Sequence, residues 1–180
     1  RSRTKVRQPL IDVCPNLKVI VRGGVGLDTI DAEYARSKGI VVMNTPKASS
    51  ASVAELAIGY MFTLARSLYK ASATMKAEKW EKKAFEGVEL GGKTLGLIGI
   101  GNIGKEVAKR AVALGMTVIV YDPYVKEVAD VDLVTLDELL AKADYISLHL
   151  PKTKESQNMI DKAQFDKMKT GVRIINCARG

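Results

Sequence analysis

The feature that most constrains this chain lies near its middle, where Thr94-Leu95-Gly96-Leu97-Ile98 runs into Gly99-Ile100-Gly101-Asn102-Ile103-Gly104. An apolar run meets three glycines at G-x-G-x-x-G spacing, and a helix-forming stretch then continues to Leu114 and Gly115. A second apolar run, Thr117 to Tyr121, ends on Asp122, eighteen positions after Gly104. Strand, tight turn, helix and strand in so short a span make a βαβ unit. Such a unit requires a parallel sheet with helices packed on it.

The glycines carry chemistry as well as geometry. In this pattern Gly99 permits the tight turn, Gly101 lets a pyrophosphate approach the backbone, and Gly104 lets helix pack on strand. The helix N-terminus then offers free N–H groups and the positive end of its dipole to phosphates. A carboxylate at Asp122 accepts hydrogen bonds from ribose hydroxyls and repels a 2′-phosphate, which selects NAD over NADP. The alternative is a plain strand–helix connection with Asp122 capping a turn before Pro123, and the joint spacing of strand, glycines and acid argues against it. The turn from Gly99 to Gly104 is therefore a candidate cradle for NAD.

The rest of the chain repeats the alternation. Strands are predicted near 17–21, 40–43, 94–98, 117–121, 131–134, 145–149 and 172–176, with helices over Asp28 to Ser37, 102–114, 136–142 and 161–168. A long helix is predicted from about Val53 to Leu68, with Leu56, Gly59, Tyr60, Thr63 and Leu64 on one face. The stretch from Tyr69 to Lys83, with Trp80, reads as polar connection. Only eight to ten residues separate Asp122 from the next strand, so that crossover either shrinks to one helical turn around Val125 to Ala129 or lacks residues. The fold class is α/β: a Rossmann-type, doubly wound parallel sheet over residues 45–180, and part of a smaller flavodoxin-like α/β domain over residues 1–44. Five strands of the usual six are visible in the larger part.

Composition sets outer bounds. A chain of 180 residues, 47% hydrophobic and 27% charged, is that of a globular protein. It has no run of the ~18–20 apolar residues that a membrane span needs. Its two cysteines, Cys14 and Cys177, form no disulfide framework and no metal-ligand spacing, which points to a reducing, cytoplasmic setting. The net charge of +8 is spread along the chain with few aromatics between, a pattern that favours small anionic ligands over nucleic acid.

Several further blocks, read with the glycine turn, resemble the D-isomer-specific 2-hydroxyacid dehydrogenases. They are Arg22-Gly23-Gly24-Val25-Gly26-Leu27-Asp28, Asn44-Thr45-Pro46, Val53-Ala54-Glu55, Gly91-Gly92-Lys93-Thr94, and the final Ile174-Ile175-Asn176-Cys177-Ala178-Arg179-Gly180. The resemblance implies NAD-dependent hydride transfer on a small anionic 2-hydroxy or 2-oxo acid. It implies that Arg179 is catalytic, holding the substrate's carboxylate and 2-oxygen with a planar donor fork that stays charged at any working pH. It places Gly24, Val25 and Gly26 at the substrate carboxylate and Arg22 and Arg1 at a substrate phosphate. Ile103, Leu150, Pro151, Cys177 and Arg179 become cofactor contacts beside Gly99, Gly101, Asn102, Gly104 and Asp122.

The implied reaction is oxidation of D-3-phosphoglycerate to 3-phosphohydroxypyruvate, the first step of serine synthesis. Glycerate, glyoxylate or D-lactate are the alternative substrates, and a non-catalytic NAD-sensing module is the alternative class. The family's acid–base His and its Glu lie beyond the arginine segment, so this chain alone is expected to bind without turning over. His149, the one histidine, matches no catalytic position, and Cys177 reads as a small buried residue with no paired base. The resemblance also implies a homodimer or higher homo-oligomer built on the long helix and the Trp80 region, and a hinge near Asn44 to Pro46.

Overall fold

A computed structural model describes residues 4–178. Contacts divide the chain into two units, one running to Ser50 and one from Ala51, where the sequence placed the boundary after Asn44. Arg1 and Arg179 lie outside the described residues.

The first unit is built on two parallel strands, β1 (Val19–Arg22) and β2 (Val41–Asn44), paired from Val19↔Val41 to Arg22↔Asn44. Helix α1 (Gln8–Asp12), with proline in its first turn where no N–H is needed, was not anticipated from sequence. Helix α2 (Ala32–Ser37) starts later than predicted, at Asp31, whose carboxylate accepts from the Tyr34 N–H. A small core of Ile11, Ile20, Ile30, Ala35 and Ile40 holds these pieces together.

Helix α3 (Ser50–Ala65), which begins at the boundary residue, and α4 (Leu68–Lys76) lead the second unit. The sequence predicts one helix to Leu68 and a polar connection from Tyr69 onward. In the structure Ser67, at φ 51, breaks the helix and a second one begins at once. The face of α3 is also corrected. Ala54, Ala57, Met61 and Ala65 are the buried stripe, while Leu56, Tyr60 and Leu64 are exposed. Small side chains let a helix lie close on a sheet, so the alanines take the core and the large apolar groups stay outside.

The five-stranded parallel sheet has the order β5-β4-β3-β6-β7, from β3 (Thr94–Ile98), β4 (Thr117–Tyr121), β5 (Asp132–Leu133), β6 (Tyr145–Leu148) and β7 (Arg173–Asn176). Leu95, Leu97, Val118, Val120 and Tyr145 face a core shared with α3 and with α5 (Asn102–Ala113). Ile98, Ile119 and Ile146 face the other side, toward α6 (Leu136–Lys142), which Thr135 and Glu138 close with a capping box. Helix α7 (Lys162–Phe165) is shorter than predicted and likewise boxed, by Asp161 and Gln164. The short crossover is resolved: residues 123–131 form turns, and Val125, Val128 and Val131 pack on the core where a helix would have lain. No helix among the described residues is long and apolar enough to cross a membrane.

Candidate dinucleotide site

In this strand order the chain steps outward from β3 to β4 and β5, then returns to place β6 on the other side of β3. Open α/β sheets bind ligands at the carboxyl ends of the strands flanking such a reversal. The glycine turn leaves β3 there, and His149-Leu150-Pro151 leaves β6 beside it. The two exits touch closely. A Cβ added at Gly99, whose φ is +98, would sit 2.9 Å from the His149 carbonyl group and from Leu150 Cδ2. A Cβ at Gly104 would collide with the Gly99 carbonyl oxygen. Gly101 differs from both, because a Cβ there would meet nothing within 4 Å. Two glycines are required by packing, and the third borders open space.

That space has the electrostatics of an anion site. No side chain caps α5, and its first intrahelical bond is from the Lys105 N–H to the Gly101 carbonyl, at 3.0 Å. The preceding amides of Asn102, Ile103 and Gly104 remain available to a ligand. Asp122 stands at the exit of β4 with both oxygens engaged, Oδ2 accepting from the Ile100 N–H and Oδ1 from the Tyr124 N–H, each at 2.9 Å. The turn-capping role set against ribose binding is therefore present. It does not exhaust the carboxylate, since each oxygen has a second lone pair. The Ile100 contact also ties the acid to the glycine turn, a link not legible in the sequence.

Leu150 and Pro151 line a cleft of about 300 Å³ together with Leu148, Lys152, Asn176 and Ala178, at the carboxyl ends of β6 and β7. Cys177 is not part of it. Its side chain packs on the core shared with α3, and burial pushes its thiol pKa up, so the reactive thiolate is disfavoured. His149 is pinned by a 2.9 Å contact between Nε2 and the Ser147 hydroxyl, with Nδ1 buried and unpartnered. Burial lowers its pKa to about 4, so the ring is neutral at physiological pH.

The first unit carries a second glycine turn. Gly24, at φ +143, donates its N–H to Thr45 Oγ1 at 2.8 Å, and the Thr45 N–H donates back to the Gly24 carbonyl at 3.2 Å. Asn44 Nδ2 donates to the Val25 carbonyl at 2.7 Å. The half-buried Arg22 folds its guanidinium over the turn, Nε donating to the Gly26 carbonyl at 3.2 Å. The structure thus brings Arg22, Gly24, Val25 and Gly26 together. It commits the Gly24 amide internally, while those of Val25 and Gly26 have no protein acceptor among the described residues. Asn44 and Thr45 were noted in the sequence as a strand end and hinge; their hydrogen-bonding side chains at the exit of β2 were the missed signal.

Comparisons agree with this geometry. Residues 58–180 match the family model described as the D-isomer specific 2-hydroxyacid dehydrogenase NAD binding domain. The chain is 54% identical to a hydroxypyruvate reductase of Thermotoga maritima, over all of the chain and 59% of that protein. It is 51% identical to a D-3-phosphoglycerate dehydrogenase of Methanocaldococcus jannaschii, again over all of the chain but 35% of that protein. Among solved structures it superposes on D-lactate dehydrogenase of Aquifex aeolicus, complexed with NAD and lactic acid, at a TM-score of 0.86 and 40% identity, covering 98% of this chain and 54% of that one. The chain thus spans between about a third and three-fifths of the proteins it matches. An open helix terminus, a glycine that borders free space and an acid at the next strand end fit NAD, and the chain belongs to the D-isomer-specific 2-hydroxyacid dehydrogenase family through its NAD-binding domain.

Proposed function

We propose that the full-length protein oxidises D-3-phosphoglycerate to 3-phosphohydroxypyruvate with NAD, as the first step of serine synthesis in the cytoplasm. The observation that carries this reading is Arg22, fixed over a turn whose Val25 and Gly26 amides are uncommitted. Paired free amides hold a carboxylate, and a guanidinium beside them adds a fork for a second anion. A substrate with both a carboxylate and a phosphate uses both. NAD, when bound, supplies the hydride acceptor. The Gly99–Gly104 turn and the α5 amides hold its pyrophosphate, and Asp122 holds the adenosine ribose. Leu150 and Pro151 complete the cofactor's surroundings, with Cys177 behind them on the core.

Arg179 is assigned the substrate carboxylate and 2-oxygen, where its fixed charge stabilises the negative charge that builds on that oxygen as the hydroxyl proton leaves for hydride transfer. Arg1 is assigned the phosphate alongside Arg22. The second reading, a glycerate- or hydroxypyruvate-acting enzyme, is favoured by the 54% identity to the Thermotoga maritima reductase. Steady-state kinetics on the full-length protein separate the two. Arg22→Gln is expected to raise KM about tenfold or more for D-3-phosphoglycerate and little for D-glycerate, as loss of one charged hydrogen bond predicts. An equal effect on both, or a preference for unphosphorylated acids in the wild type, establishes the second reading.

The protein is also proposed to be a homodimer. Leu56, Tyr60, Leu64, Tyr69 and Trp80 are all exposed along α3, α4 and the segment after them, large apolar side chains of the kind that a partner subunit covers. A monomer by sedimentation at micromolar concentration overturns this.

A further inference from the structure

We infer that Thr45, aided by Asn44, is a positioning residue for the acid-binding turn: its hydroxyl determines which of the turn's amides are left for substrate. The inference rests on the proposed reading of the Gly23–Gly26 turn as the carboxylate site. The β1–β2 ladder ends at the pair Arg22↔Asn44. Beyond it the backbones can no longer exchange regular bonds, because Gly24 takes a conformation that L-residues rarely adopt. One backbone bond and two side-chain bonds continue the ladder. Thr45 Oγ1 accepts from the Gly24 N–H, the Thr45 N–H donates to the Gly24 carbonyl, and Asn44 Nδ2 donates to the Val25 carbonyl.

Two consequences follow from this stitching. The Gly24 amide is removed from the set that an anion can use, so recognition falls to Val25 and Gly26. A glycine-rich turn, which is otherwise costly to order, is also held in one conformation before substrate arrives. Serine supplies the same oxygen as threonine at this point. Valine supplies the same shape without it, leaving the Gly24 N–H without its partner.

The test uses the full-length protein. In Thr45→Val the Gly24 amide is expected to exchange hydrogen faster, and KM for the hydroxy acid to rise about five- to tenfold, the factor of one neutral hydrogen bond. Turnover and NAD affinity are expected to stay within about twofold, because the turn is held tighter rather than made reactive. Thr45→Ser is expected to restore both the exchange rate and KM. An NMR titration of the wild type with D-3-phosphoglycerate separates the two layers. If the Val25 and Gly26 amides do not shift, the carboxylate-site reading fails and the positioning role with it. If they shift but Thr45→Val leaves KM unchanged, the site stands and the positioning role alone is refuted. Should Thr45→Val not fold, Thr45→Ala deletes the same hydroxyl and is read in the same way, by Gly24 amide exchange and by KM against turnover.

Discussion

The two glycine turns in this chain look alike in sequence and are built on opposite principles. Each follows a strand of a parallel sheet. The turn after β3 is fixed by packing: Gly104 is pressed against the Gly99 carbonyl, Gly99 lies against His149 and Leu150, and β3 is almost wholly buried. It delivers a helix terminus. The turn after β1 has room around Gly23, no helix directly behind it, and a two-stranded sheet beneath it. It is fixed by polar side chains, those of Thr45, Asn44 and Arg22. Packing sets a fixed helix terminus for a pyrophosphate, whereas hydrogen bonds hold the turn proposed to take a small acid.

The largest break in this comparison comes from Gly104→Ala. Its Cβ has no space against backbone, so we expect a loss of about 2–4 kcal/mol of stability, in the range of overpacking with strain. NAD binding should become undetectable by calorimetry. Gly23→Ala, with nothing near its Cβ, should change the melting temperature by a degree or two at most. Equal effects at the two positions would show that packing does not distinguish the turns.

The next effect is pH. His149 abuts the first turn, and burial holds its pKa at about 4 against an ordinary 6.5. The unfolded chain binds the proton more readily between these values. Stability is therefore full above about pH 6.5 and falls as pH drops toward 4, by roughly 3 kcal/mol from this group. Urea unfolding at pH 7, 5.5 and 4.5 measures it, and His149→Gln should flatten the slope. An unchanged slope would remove His149 as its source.

Asp122→Ala should weaken NAD by about 2 kcal/mol, the cost of a charged hydrogen bond, while NADP loses less or gains. Unchanged NAD affinity would mean that Asp122 serves only the Ile100 and Tyr124 amides. Smallest is Gly24→Ala. At φ +143 it is strained but has open space apart from Arg22, 3.7 Å away, so about 1–2 kcal/mol is expected, the lower part of the range for such backbone strain. A thermal melt beside Gly23→Ala isolates that strain.

Much of the larger unit was legible because its signals are local. β3 and β4 fall on the predicted residues, as does α6, where Thr135 and Glu138 announce the start of the helix. Periodicity failed at α3, since it identifies an apolar stripe without saying which of two apolar faces meets the sheet. Only the depth of contact made Ala54, Ala57, Met61 and Ala65 the inner face. The break at Ser67 was hidden because both flanking sequences favour helix, and a single left-handed residue separates them.

The sequence by itself determined the βαβ order, the dinucleotide turn, the acid eighteen residues beyond it and the resemblance that the family match bears out. These rest on residue types that only one local geometry accommodates. Tertiary structure decided which groups are already engaged: Asp122 on the Ile100 amide, the Gly24 amide on Thr45, and His149 held neutral against the turn. Such pairings join residues far apart in the chain, and it is the fold that sets their distance and their dielectric surroundings.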